Sequence, residues 1–336
     1  MPLVNMTDML QHAYRHNYAV GAFGVASWDI LEGVVKAAEA LRAPIILSLS
    51  KTYPGIDNIE ALAMAVVSVA QRATIPVAFQ VEVADDPQAV AEAVKMGCSG
   101  VVFDSSQHAL MDNVALTKKS VSLAKPHGVM VVGQLANVEN GEAPELATKE
   151  SPPKESTTNK FTSPTEAKYY VERTGVTCLA VSVSRMERGS TKHDFARLAK
   201  INQTLGIPLG IHGGSGLSDD QFRRMINFGA AKINYCTPLF DVVAQRIRQC
   251  ARTPNAGYAG YVEQVRDAIR NEVERCIRLW GCSGRAAEVL QQSRAWPSDD
   301  THKDEVAASD PELGSGNESA GFSTGRTRTS SVRRIR

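Results

Sequence analysis

The sequence lacks an excess of charge of either sign. Its 336 residues include 37 Lys and Arg against 36 Asp and Glu, which gives a formal net charge of +1 at pH 7. A balanced chain has no extended field that would attract nucleic acid or an anionic membrane. No apolar run reaches the roughly 18 residues that a membrane-spanning helix needs, and the first ten residues lack a signal-peptide pattern. We therefore expect a cytoplasmic protein that binds a small molecule, not nucleic acid or a membrane.

Paired cysteine motifs are also missing. The chain has six cysteines, and no two of them form a CxxC pair. Scattered cysteines argue against both a zinc knuckle and a disulfide framework. We expect ordinary reduced thiols.

Neither of the first two candidate strands is followed by a GxGxxG turn. A dinucleotide-binding sheet would have such a turn after an early strand. What the chain does contain is a series of short apolar runs without alternation, separated by segments with helical spacing. Such runs are typical of parallel strands buried on both faces, and a strand followed by a helix, repeated eight times, specifies an α/β fold of the (β/α)8 TIM-barrel type. The predicted strands are 19–23, 44–50, 76–83, 100–104, 129–134, 178–183, 209–212 and 231–235.

Helix starts agree with this phasing, because good N-capping residues stand where each loop should turn into a helix. These residues are Ser27, Asn58, Asp86 and Ser218. Further helical patterns follow the last strand. We therefore expect a barrel with additional C-terminal helices over residues 1–290 and a separate tail over 291–336. The tail after Trp296 is polar and ends in a basic cluster, so we expect it to be disordered. It could be a linker, a truncated second domain or the product of a reading-frame change.

The longest segment between strands is polar over residues 139–164 and has no apolar period. It is predicted to be a loop. A long loop after a barrel strand lies near the end of the barrel where chemistry takes place, so it is either a mobile lid or a surface insertion.

The most specific motif is Ile-His-Gly-Gly-Ser-Gly at 211–216, followed by Lys-Ile-Asn-Tyr-Cys-Thr at 232–237. These motifs end the seventh and eighth predicted strands, where barrels bind phosphate. Glycines let backbone N–H groups approach an anion, and Ser215 and Thr237 add hydroxyl donors beside a helix start. The alternative is that the glycines only form a tight turn.

Together with Gly-Ala-Phe at 21–23 and Ile-Ile-Leu-Ser-Leu-Ser at 45–50, these motifs resemble the class II fructose- and tagatose-bisphosphate aldolases over roughly residues 1–285. The resemblance implies a homo-oligomeric enzyme of carbohydrate metabolism and glycolysis. It also implies a zinc ion, held by three histidines, that polarises the ketone of a phosphorylated sugar. The positions that match its substrate and phosphate contacts are Ser50, Gly213, Gly214, Ser215, Asn234 and Thr237.

The metal side departs from the family pattern. Where the family has Leu-Asp-His-Gly, this chain has Val-Glu-Val-Ala at 81–84. The catalytic acid is thus Glu82, and Val83 stands where a zinc histidine is expected. His212 remains as a matching ligand, and Glu187 aligns with the other histidine. The family's asparagine after Phe23 is Gly24.

Among the remaining acidic positions, the glutamate of the fifth strand is replaced by Gln134, whereas Asp104 is present. Either Glu142 or Glu145 of the long loop could inherit the family's mobile glutamate, although acidic residues in a polar loop are usually only solvated. His108 and His193 are predicted to be surface residues outside the site.

Three hypotheses follow. In the first, the protein binds a phosphorylated sugar or triose phosphate, and its zinc-dependent cleavage is lost or altered. In the second, an active lyase uses an atypical metal such as Mg²⁺ or Mn²⁺, because Glu82, Asp104, Glu187 and His212 offer mostly oxygen ligands. In the third, the protein is purely structural.

Overall fold

A computed structural model describes residues 2–53, 55–135, 163–182, 184–187, 190–212, 217–252 and 257–296, and for 184–187 and 190–192 it describes the backbone only. One compact unit spans Met1–Trp296. The predicted loop over 139–164, apart from its last two residues, lies outside the described residues, as do Glu142, Glu145 and the predicted tail from residue 297 onward.

Eight parallel strands close into a barrel, in the order β1-β10-β9-β6-β5-β4-β3-β2. The prediction of a (β/α)8 barrel is therefore confirmed, and each observed strand lies within one residue of its predicted bounds. The barrel strands are β1 (Val20–Gly24), β2 (Ile45–Ser50), β3 (Val77–Ala84), β4 (Gly100–Asp104), β5 (Met130–Gln134), β6 (Cys178–Ser182), β9 (Leu209–His212) and β10 (Ala230–Tyr235).

One feature of the sheet structure was not predicted. After β6 the chain forms an antiparallel ladder of β7 (Ser184–Glu187) with β8 (Ser190–His193). This ladder stands apart from the barrel sheet and precedes the next helix.

Helices lie between the barrel strands and after the last of them. They are α1 (Met6–Arg15), α2 (Trp28–Ala40), α3 (Ile59–Arg72), α4 (Pro87–Lys95), α5 (Leu110–Ala124), α6 (Pro164–Thr174), α7 (Phe195–Leu205), α8 (Asp219–Asn227), α9 (Thr237–Cys250), α10 (Tyr258–Leu279) and α11 (Ala286–Gln292). The four predicted caps are confirmed, since each of those side chains accepts a hydrogen bond from a backbone N–H in the first turn of its helix. No helix among the described residues is long and apolar enough to cross a membrane.

The two ends of the folded unit meet at the amino end of the barrel. Leu3 bridges to Val77, the first residue of β3, and Val4 bridges to Ala295. The indole N–H of Trp296 donates to the carbonyl of Gly97, 3.1 Å away, just before β4. The amino end of the barrel is therefore closed by both terminal segments, and the carboxyl end is left for a site.

An aromatic layer joins the outside of the barrel to the helices. Trp280, which is 1% exposed, stacks on Phe23 of β1 with a centroid distance of 5.9 Å. Its ring also contacts Tyr235 of β10 and Phe222 of α8. A Cβ atom at Gly21 would lie 2.5 Å from the Phe23 ring and 2.7 Å from the Trp280 ring, so this layer has no free volume there.

Candidate functional site

Polar residues gather where the parallel strands end, at the carboxyl end of the barrel. Because neighbouring parallel strands end at the same edge, residues far apart in the sequence come together here. These residues, one from each of several strands, are Ser50, Glu82, Asp104, Gln134, Ser182, His212 and Asn234.

Glu82 of β3 is held by the neighbouring strand. The Ser48 hydroxyl of β2 donates to Glu82 Oε1 at 3.0 Å, and the Gln80 amide donates to Ser48 Oγ at 2.8 Å. Burial raises the pKa of Glu82, and the positive charge of Lys232 only partly opposes that effect. The carboxyl group is therefore biased toward its protonated form, which suits it to donate a proton.

Tyr53, in the loop after β2, reaches across the site. Its hydroxyl lies 2.9 Å from Cys236 Sγ at the end of β10 and 3.5 Å from Ser48 Oγ. Burial raises the pKa of the Tyr53 phenol well above its usual value, and the nearby Glu82 adds to the effect. Tyr53 is thus a neutral hydroxyl inside the polar cluster, which the sequence did not predict.

Gly24 ends β1 at the same place. A Cβ atom there would lie 2.8 Å from Cys236 Sγ and 3.2 Å from the Phe240 ring. The asparagine that the family carries at this position would not fit without a shift. Cys236 therefore fills the volume that the loss of the asparagine side chain leaves open.

Lys232 of β10 is fully buried inside the barrel. Its ammonium group donates to Asn234 Oδ1 at 2.7 Å. Burial lowers the pKa of Lys232. A lysine within an apolar strand is unusual, because burying a charged group is costly unless it has a partner. The sequence therefore singled out Lys232, but no role was predicted for it.

His212 ends β9 beside the same amide. The Asn234 Nδ2 atom lies 2.6 Å from His212 Nε2 and 3.1 Å from Nδ1. Burial, with the positive charge of Lys232 added, lowers the pKa of His212 to about 3. The imidazole is therefore neutral, and it can accept a hydrogen bond from the Asn234 amide.

Asp104 ends β4, and its carboxylate is engaged locally. The Ser106 backbone N–H and hydroxyl donate to Asp104 Oδ1 at 3.0 Å and 2.6 Å. Nearby, His108 Nε2 lies 2.8 Å from Asp85 Oδ2, and both side chains are exposed. This surface contact agrees with the prediction that His108 lies outside the site.

The described residues do not fit the zinc ion that the family implies. They contain no group of three His, Cys, Asp or Glu side chains that could hold a metal ion. Val83 provides no ligand, and His212 faces an amide with a buried ammonium group close behind it. The side chain of Glu187, on β7, lies outside the described part of the chain, so the metal set of His212, Glu187 and Asp104 stays a prediction.

On the side predicted to bind phosphate, Ser50 is buried at the end of β2, and its hydroxyl lies 2.8 Å from Thr52 Oγ1. Thr237 is the first residue of α9, and the N–H groups in the first turn of a helix lack partners within the helix. Gly213, Gly214 and Ser215 lie outside the described residues.

The fold and the polar residues at its strand ends define a (β/α)8 barrel with a candidate site at the carboxyl ends of its strands. Residues 4–285 match the class II fructose-bisphosphate aldolases, and the chain belongs to this family.

One relative and two solved structures illustrate the similarity. The chain is 31% identical over 295 residues to a probable fructose-bisphosphate aldolase of Bacillus subtilis, covering 85% of this chain and all of that protein. Among solved structures, the YdjI aldolase of Escherichia coli K12 superimposes with a TM-score of 0.72 at 26% identity, over 84% of this chain and 99% of that one. A putative fructose-1,6-bisphosphate aldolase of Coccidioides immitis, at 22% identity and a TM-score of 0.73 over 84% of this chain and 98% of that one, shares the fold.

Proposed function

We propose that the protein binds a phosphorylated triose or ketose at the carboxyl end of its barrel, and that zinc-dependent cleavage of a ketose bisphosphate is lost. The family and its named relatives support the class of ligand. The loss of zinc chemistry is inferred from a chain of contacts that runs from Lys232 through Asn234 to His212. The remaining histidine is thus next to an amide, with an ammonium group beyond it. In such a site the remaining imidazole is engaged by an amide, and Val83 supplies no second nitrogen ligand for zinc.

The residues of this chain have definite tasks in the proposal. Ser50 and Thr237 supply hydroxyl donors, and the start of α9 adds N–H groups and the positive end of its dipole for a phosphate. Asn234 donates toward the carbonyl end of the ligand once it is released from His212. Glu82, protonated because it is buried, can give a proton to a ligand oxygen. In keeping with the family, we also propose a cytoplasmic homo-oligomer.

Calorimetry with dihydroxyacetone phosphate, before and after treatment with a chelator, tests the binding. We expect binding that survives chelation. Thr237→Val should weaken it roughly tenfold, since a hydrogen bond to a charged group is lost. The matched control is Thr204→Val, on the exposed face of α7, which should bind like the wild type. No detectable binding by the wild type would overturn the proposal.

Elemental analysis and a coupled cleavage assay test the loss of zinc chemistry. The assay uses fructose and tagatose bisphosphates with Zn²⁺, Mg²⁺ and Mn²⁺. We expect neither stoichiometric metal nor turnover. Turnover that disappears in His212→Ala would instead support the active lyase with an atypical metal site.

A further inference from the structure

Asp104 and Gln134 end two neighbouring strands of the barrel, β4 and β5. They are register partners in this parallel pair, so their side chains leave the same face of the sheet with the two backbones about 5 Å apart. The residue before Gln134 faces outward, since a Cβ atom at Gly133 would lie 2.7 Å from the Tyr170 hydroxyl of α6. Because successive residues of a strand alternate, Gln134 and Asp104 face the interior of the barrel at its carboxyl end.

The Gln134 amide is a buried polar group without a partner. Gln134 is 4% exposed. Among the described residues, its hydrogen bonds involve its backbone and not its carboxamide. Leaving a buried amide unpaired is costly, and the next strand does not cover it, because the register partner of Gln134 on β6 is Ala180. One acceptor and two donors are thus available to a ligand.

The carboxylate of Asp104 is engaged on one oxygen only. The backbone N–H and the hydroxyl of Ser106 both donate to Oδ1. These two contacts fix the orientation of the carboxylate and leave Oδ2 as an acceptor next to the strand that carries Gln134. A hydroxyl group is a suitable donor to such an oxygen.

A buried network behind the two strands holds their ends in place. Asn113 of α5 donates from Nδ2 to the carbonyl of Gln134 at 3.0 Å, and its Oδ1 accepts from the hydroxyl of Ser105, the residue after β4, at 2.7 Å. Thr117 connects the same Oδ1 atom to the Tyr170 hydroxyl, with distances of 3.1 Å and 2.8 Å. The four side chains of this network are at most 1% exposed. Satisfied buried networks are rigid, so the acceptor and the amide are preorganised for a ligand.

A carboxylate oxygen beside a carboxamide suits two neighbouring hydroxyl groups, because the carboxylate accepts from one and the amide can accept from or donate to the other. The inward residues one layer below are Val102 and Val132, a buried register pair that offers an apolar floor to C–H groups. A polyhydroxylated carbon chain presents both kinds of surface.

We propose that Asp104 and Gln134 form a subsite that binds two neighbouring hydroxyl groups on the carbon chain of the phosphorylated ligand. This inference rests on the proposed function, because the phosphate anchors that chain in the barrel mouth. The pair determines specificity: it selects among phosphorylated compounds by their hydroxyl groups.

Calorimetry in the presence of a chelator tests the subsite with two six-carbon phosphate monoesters that cannot close to a ring. D-Glucitol 6-phosphate carries a hydroxyl group on every other carbon of its chain, whereas 1,6-hexanediol monophosphate has the same length and the same phosphate but only its terminal hydroxyl. The chelator removes divalent cations that Asp104 could otherwise bind. We expect the wild type to bind the glucitol ester roughly tenfold more tightly, since two hydrogen bonds are at stake.

A variant assigns that preference to the subsite. Gln134→Leu removes the amide and keeps the side-chain volume similar, so the ratio of the two dissociation constants should fall about fivefold, the worth of one neutral hydrogen bond. The matched control is Gln71→Leu, at an exposed position near the end of α3, where the ratio should be that of the wild type.

The possible results distinguish this inference from the proposed function. Equal affinity of the wild type for both esters, or a preference that Gln134→Leu retains, would reject the subsite, while binding of dihydroxyacetone phosphate would still support the proposed function. If none of the three phosphate esters binds, the proposed function fails and the subsite is rejected with it. The comparison of the two esters on the wild type holds whether or not the variant folds.

Discussion

Strand β10 contributes side chains to two clusters of opposite character. Outward, Phe23 and Tyr235 pack on Trp280 in a layer of aromatic rings. Inward, the preceding residue of β10, Asn234, belongs to a polar cluster with Lys232. Successive side chains of a strand point to opposite faces, so one strand can serve two purposes. The comparison suggests that stability resides in the first cluster and ligand binding in the second.

The two clusters also differ in how completely their polar atoms are satisfied. The aromatic layer is stabilised mainly by the apolar area that its rings remove from water. In the polar cluster, Gln80 Oε1 is buried without a hydrogen-bond partner among the described residues, and Lys232 has one. Polar groups without partners reduce the stability of the folded protein. In a binding site they remain available for hydrogen bonds to a polar ligand.

The largest effect should come from breaking the aromatic layer. Trp280→Ala removes a ring that touches three others and leaves a cavity, so we expect the free energy of unfolding to fall by about 3–5 kcal/mol. Urea denaturation measures it. The matched control, Trp28→Ala, changes a residue that is 47% exposed and should cost much less. If the folded Trp280→Ala protein lost its affinity for dihydroxyacetone phosphate, the two clusters would not be separable.

A smaller effect on stability is expected from the polar cluster. Lys232→Met replaces a buried amine by an apolar side chain of similar length, so the desolvation cost disappears while Asn234 loses a donor. We expect a free energy of unfolding within about 1 kcal/mol of the wild type in the same urea experiment, together with a loss of ligand affinity. A destabilisation as large as that of Trp280→Ala would assign Lys232 to the packing of the barrel.

The smallest effect depends on pH. Because burial raises the pKa of Glu82 in the folded state, its contribution to stability is fully present below the unfolded pKa and is lost as the pH rises through the folded pKa. Glu82→Gln removes this dependence. Thermal unfolding should therefore show equal melting temperatures near pH 4 and a higher one for the variant at pH 8.

A matched variant controls for the loss of a charge alone. Glu92→Gln, on the exposed surface of α4, should show no such difference between the two pH values. A Glu82→Gln protein that is less stable than the wild type at pH 8 would mean that the folded protein favours the Glu82 carboxylate.

The barrel could be predicted because its signals are local. The unalternated apolar runs and the caps at Ser27 and Ser218 depend on residues close in sequence. Tyr53 could not be predicted as part of the cluster, since its contact with Cys236 joins residues 183 positions apart. Likewise, the sequence shows that Gly24 replaces the asparagine of the family. Only the structure shows that Cys236 occupies the volume of the missing side chain.

The closure of the amino end of the barrel has a practical consequence for measuring ligands. The backbone N–H of Trp296 donates to the carbonyl of Leu3 at 2.9 Å, and that of Asn5 donates to the carbonyl of Arg294 at 3.0 Å. Both ends of the folded unit are therefore hydrogen-bonded to each other at the amino end of the barrel, opposite the polar residues at the strand ends. A protein captured on a sensor surface through a tag attached before Leu3 would therefore present the carboxyl end of its barrel to the solution.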